Sequence, residues 1–210
     1  MNTFEHKALA LLSSLFIGGL VVAALIASKI IMVAGVAVPA GVLAYSLTFI
    51  VSDVISEVWG KECANNVVQS GFVTLVMTSA LAWLAVEWPA APFWHGQESF
   101  SAVIGSTPRI VAASLVAYLI SQKHDIWLFH FLKKRTNGKH LWLRNNASTV
   151  VSQLVDSTIF VTIAFWGILP VGDVILGQWM VKLAIAAFDT PIVYFLCHAL
   201  RKQVQTADAL

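Results

Sequence analysis

Charge is what this sequence has least of: Asp, Glu, Lys and Arg make up 11% of its 210 residues, where soluble domains carry about 25%. With a mean hydropathy of +0.79, a water-soluble globule is excluded. Cysteine is scarcer still. Cys63 and Cys197 stand far apart in the chain, unsuited to a disulfide framework or a cysteine metal site, and read as inert thiols. The six histidines show no pair at ligand spacing, and H-E-x-x-H, G-x-S-x-G and G-x-x-x-x-G-K-[ST] are all missing. Zinc, acyl-enzyme and P-loop chemistry therefore have no carrier, and no metal, cofactor or enzymatic activity is expected. An intramembrane aspartyl enzyme would have to be built from Asp53 and Asp156, and nothing in their spacing favours it.

What remains is a membrane chain with room for one helical bundle and no separate soluble domain, because each span takes about 20 residues. Charge-free runs at 8–28, 30–52 and 64–86 reach that length, and runs at 110–132, 145–169 and 174–200 carry isolated charges. The expected fold is all-α: six spans, about 8–28, 36–58, 64–86, 109–132, 145–169 and 174–200, with a tight connection near 34–39. The first run is too long for a signal-peptide core and is read as a span. Segments 87–107 and 171–173 hold no Lys or Arg, whereas Lys7, Lys61, Lys133, Lys134, Arg135, Lys139, Arg144, Arg201 and Lys202 fall on the other side if the spans alternate. By the positive-inside rule both termini are expected in the cytoplasm. The run KKRTNGK then reads as a cytoplasmic loop rather than a nucleic-acid site. Gly19, Ala23 and Ala27 recur every four positions, a stripe that permits close helix packing within the chain or with a second copy in a homo-oligomer.

Against this apolar background the polar residues inside spans need an explanation. Asp53 and Glu57, in SDVISEVWG, lie one helical turn apart and share a face. Asn146, Thr149, Gln153 and Asp156 fall within a sector of roughly 80° on the fifth span. Ser114, Tyr118, Ser121 and Asp125 line the fourth in the same way. Lys182 and Asp189 share a face of the sixth, but a rise of about 10.5 Å keeps them from pairing. Lys29 and Arg109 complete the charged set. Hydroxyls and amides serve as interhelical glue at about 0.6 kcal/mol each; an acid costs about 2.5–3.5 kcal/mol to insert, and glue has no need of one. Convergent stripes of this kind predict a pocket for a small polar solute within the bundle. The candidate binding residues are Asp53, Glu57, Tyr118, Asp125, Asn146, Gln153, Asp156, Lys182 and Asp189. A transporter or solute-binding subunit is the reading this pocket gives, and a non-transporting assembly role with the polar residues as glue is the alternative.

SKI at 28–30, SDVISEVWG at 52–60, RIVAASLVAYLISQKHDIW at 109–127 and LWLRNNASTVVSQLVDSTIF at 141–160 together resemble the vitamin uptake transporter family, specifically its queuosine precursor transporters. The resemblance runs from the first span to the sixth. It implies a six-helix inner-membrane protein that imports 7-deazaguanine precursors of queuosine, nitrile and aminomethyl forms, for salvage into tRNA. It also implies distant similarity to the substrate-binding subunits of energy-coupling factor importers. A guanine-like ring would present N1–H and its 2-amino group to a carboxylate and O6 to an amide or cation, and would stack on aromatic rings, with Tyr45, Phe49, Tyr118 and Trp127 as candidates. Carriage of another vitamin or nucleobase in the same pocket is the rival within transport.

Overall fold

The structure, a computed structural model, describes residues 3–136 and 141–208 and, within them, all side chains except those of 125, 126, 129, 133, 141–146, 189, 190 and 201–208. The chain opens with helix α1 (Thr3–Ile26) and then turns back in a β-hairpin, β1 (Ile30–Val33) and β2 (Val36–Pro39). The strands pair antiparallel, Ile30 opposite Pro39 and Val33 opposite Val36. Ala34 and Gly35 form the two-residue turn, both at positive φ (49° and 87°), the twist that a tight hairpin requires. The tight connection expected near 34–39 is thus a strand hairpin, which the all-α expectation did not include. The β-branched residues of IIMVAGVAVP suit strands instead, and Pro39 ends the second before α2 begins.

Five further helices follow: α2 (Gly41–Trp59), α3 (Lys61–Glu87), the short α4 (Gln97–Ile104), α5 (Thr107–Arg135) and α6 (Leu141–Phe165). The last, α7, runs Val171–Asp208 with Pro191 inside it. Gly60 at φ 90° breaks α2 from α3, a conformation that costs glycine nothing. Six stretches among the described residues are long and apolar enough to cross a membrane; the fourth runs Gln97–His124, from α4 into α5. The connection between the third and fourth expected spans thus contains a helix, held in place where the Gln97 Nε2 amide donates to the carbonyl of Val86 at 2.8 Å.

Small residues set the helix spacing. The Gly19 stripe packs α1 on α2: a Cβ at Gly19 would lie 2.9 Å from Thr48 Cγ2, and one at Gly41 2.6 Å from the Ala23 carbonyl oxygen. One apolar core joins Phe16, Leu20, Ile55, Leu75 and Val111 from α1, α2, α3 and α5. A second, nearer the hairpin, joins Ala27, Ile110, Val161, Phe165 and Val174. Large apolar side chains such as Val73, Met77 and Leu81 on α3, and Phe188 and Phe195 on α7, stay on the outside. That inversion of the soluble pattern is what a hydrocarbon solvent allows. Arg109 closes the end of α6: its Nε donates to the carbonyl of Ile163 at 2.6 Å and Nη2 to that of Trp166 at 2.9 Å. The cation thereby satisfies carbonyls in and just beyond the last helical turn, where the helix dipole favours positive charge.

Candidate functional site

Two chambers lie between the helices and meet at Tyr45, Tyr118 and Asp156. The first, about 70 Å³, is on the hairpin side, with walls that include Ala27, Pro39, Gly41 and Phe72 and with Gln178 and Lys182 as polar groups of α7. The second, about 220 Å³, extends toward the opposite end of the bundle and is lined by Phe49, Ser121, Gln122, Thr149, Ser152 and Gln153 besides the shared residues. An apolar chamber thus adjoins a polar one, with a carboxylate that lines both.

Asp156 on α6 is paired there with Lys182 on α7 through Oδ2 and Nζ. The lysine side chain is 5% exposed and the aspartate 16%. Ser121 Oγ lies 3.3 Å from Asp156 Oδ1 and 3.2 Å from the Tyr118 carbonyl oxygen, sharing its donor between them. Lys182 Nζ also sits 5.5 Å from the centroid of the Tyr45 ring, within cation–π range. A buried pair of this kind regains its desolvation only through such additional contacts. Aromatic rings complete the junction: Tyr45 meets Phe49 edge-on at 4.9 Å, and Tyr118 meets Phe72 at 4.7 Å.

The structure brings together Tyr118, Gln153, Asp156 and Lys182 from the sequence-predicted set. Ser114, Ser121 and Thr149, from the same stripes, also line the chambers. Asp53 and Glu57 lie on an exposed side of α2 and are not among the residues lining either chamber. The side chains of Asp125, Asn146 and Asp189 lie outside the described residues. Of the candidate rings, Tyr45 and Phe49 line the site. Trp127 is exposed and stacks on Phe131 instead, centroids 5.5 Å apart. Lys29 is exposed at the start of the hairpin.

Sequence reasoning did not single out Gln178. It is 5% exposed, lines the apolar chamber, and its Oε1 has no hydrogen-bond partner. The signal was present, since position 178 stands one turn before Lys182 and therefore shares its face. Gln153 Oε1, in the polar chamber, is a second buried acceptor without a partner. Among the described residues no three His, Cys, Asp or Glu side chains converge in a way that could hold a metal ion. The assembled groups are a neutralised carboxylate, a cation, two unsatisfied amide oxygens and five aromatic rings, suited to hydrogen-bonding and stacking a flat polar solute.

A family model described as "Putative vitamin uptake transporter" matches residues 39–196. A Bacillus subtilis (strain 168) protein named "Probable queuosine precursor transporter" is 29% identical over 170 residues, covering 79% of this chain and 74% of that protein. An Escherichia coli (strain K12) protein named "Queuosine precursor transporter" is 23% identical over 126 residues, 60% of this chain and 54% of the relative. No solved structure matches the chain.

Proposed function

The chain belongs to the vitamin uptake transporter family, and on that premise we propose that it imports 7-deazaguanine precursors of queuosine across the inner membrane. The single observation that carries this reading is the Asp156–Lys182 pair at the junction of two chambers inside a bundle of membrane-length helices. The names of the two relatives supply the solute class. The chemistry fits it. A guanine-like edge offers two adjacent N–H donors that Asp156 can accept, and a carbonyl oxygen that Lys182 can take as acceptor once the carboxylate turns to the solute. Tyr45 and Tyr118 stack the ring, and Gln153 reads a further donor from the polar side. Each protein–protein contact broken at the pair is replaced by a protein–solute contact, so a buried charge is never left alone.

Both termini and the basic segment near 133–144 face the cytoplasm, an orientation supported by the Lys- and Arg-free segments 87–107 and 171–173. The hairpin then caps the outer end, and the polar chamber lies toward the inside. Asp53 and Glu57, in the last two turns of α2 before Gly60, stand on the cytoplasmic side as candidates for the exit path.

The test is restoration of tRNA queuosine in bacteria that can neither make the precursors nor import them, with this chain expressed and each precursor supplied in the medium. Queuosine should return with the deazaguanines and be unaffected by competing thiamine or biotin. Inhibition by those vitamins, or no restoration at normal membrane levels, would count against the reading.

A further inference from the structure

Among the described residues five buried polar atoms lack a hydrogen-bond partner: Trp59 Nε1, Thr107 Oγ1, Gln153 Oε1, Ser157 Oγ and Gln178 Oε1. Such atoms are costly inside a protein, and each requires an account. Ser157 is a mid-helix hydroxyl whose rotor can turn to a carbonyl of the preceding turn, Thr107 is the first residue of α5, and neither lines a chamber. Trp59 ends α2, away from both chambers. Gln153 is only half-buried and faces the polar chamber. Gln178 is different: it is almost fully buried and lines the apolar chamber, where few protein groups are available to donate to it.

Its position is also held. The preceding residue, Gly177, packs directly on the backbone of Ala37 in β2, so closely that any Cβ there would overlap the Ala37 carbonyl oxygen. That contact fixes the height and rotation of α7 against the hairpin. One turn later Lys182 is fixed again by its pair with Asp156. Between these two anchors the backbone at Gln178 is held beside the chamber. Its amide lines the chamber with Oε1 buried and without a hydrogen-bond partner.

We propose that Gln178 is a specificity-determining residue of the solute site, its Oε1 accepting a hydrogen from the exocyclic amine of a guanine-like base whose other donors face Asp156. The assignment rests on the deazaguanine reading given above. An aromatic amine carries two hydrogens. A carboxylate that takes N1–H together with the nearer amine hydrogen leaves the second hydrogen pointing past it. Gln178 and Asp156 line the same chamber from different helices, so the two acceptors can divide the amine between them. A solute with a hydrogen in place of the amine would leave Gln178 Oε1 buried and unpaired, and stranded polar groups give stronger discrimination than apolar contacts do.

The experiment is a ligand–protein cycle with the purified full chain in detergent. Affinities are measured for the deazaguanine and for the same ring lacking its 2-amino group, with wild type and with Gln178→Met, which keeps the length and removes the acceptor. The expected result is a loss of about tenfold to a hundredfold for the aminated base in the variant, with the des-amino ring binding both proteins alike. Unchanged binding of the des-amino ring also shows that the variant is folded. Equal losses for both ligands would make Gln178 a purely structural residue and overturn the assignment, and so would no loss for either. Wild-type protein that binds neither ring would overturn the solute reading itself, an outcome distinct from the other two.

Discussion

At the scale of single residues, the Asp156–Lys182 pair separates a solute site from interhelical glue. Removing one partner of a buried ion pair strands the other, whereas replacing both by apolar side chains of similar volume is often neutral. Asp156→Asn alone is therefore expected to destabilise the protein by about 3–5 kcal/mol, with uptake falling as a mixed consequence. The double variant Asp156→Leu with Lys182→Met should unfold near the wild-type temperature in detergent yet transport nothing. Uptake at wild-type rates by the double variant, at matched membrane levels, would assign the pair to architecture alone. Tyr45 contributes on both counts, since its ring sits beside the Lys182 ammonium and also walls both chambers.

At the scale of elements, the hairpin and α7 act together. Gly177 gives α7 a close approach to β2 that no other residue type permits, because the obstructing atom is backbone and cannot rotate away. Gly177→Ala is expected to push the two apart and cost about 1–3 kcal/mol, the usual penalty for overpacking. Gly18 provides the contrast: it is exposed in α1, and a Cβ added there meets nothing within 4 Å. Gly18→Ala should leave stability unchanged or raise it slightly, since alanine is the better helix former. Thermal unfolding of the two variants side by side checks the difference, and equal melting temperatures would remove the hairpin's structural role. A Gly177→Ala protein that still folds should also bind solute more weakly, because Gln178 moves with the helix.

At the scale of the whole molecule, orientation decides which chamber meets which side of the membrane. With both termini inside, Glu98 on α4 is outside and Lys134 at the end of α5 is inside. Both are exposed in the structure. In a chain whose Cys63 and Cys197 are replaced by Ala, a cysteine at 98 should react with an impermeant maleimide in intact cells. One at 134 should react only after permeabilisation. The reverse pattern would invert the topology and turn the polar chamber outward. The apolar exterior of α3 and α7 fits a bilayer in either case, so composition alone does not choose; the distribution of Lys and Arg does.

Much of this was legible in the one-dimensional pattern, because hydropathy and helical period are local. Six membrane-length helices follow from runs of apolar residues, and the polar stripes of α5 and α6 follow from spacings of three and four, which put Ser114, Tyr118 and Ser121, and Thr149, Gln153 and Asp156, on inward faces. The Gly19, Ala23 and Ala27 stripe permitted close helix packing, but that α2 is the helix it meets came from the structure. What needed the tertiary structure was everything set by rotation and neighbour choice. Lys182 meets Asp156 from another helix, and Gln178 acquires a place beside it. Asp53 and Glu57, as regular a pair as any in the chain, are instead exposed on α2. An i, i+4 spacing says that two side chains share a face of their own helix, but not what that face meets. The hairpin was hidden for a related reason: ten apolar residues look alike to hydropathy whether they coil or extend. Positive φ at Ala34 and Gly35 and the close seat offered by Gly177 are properties of the folded backbone.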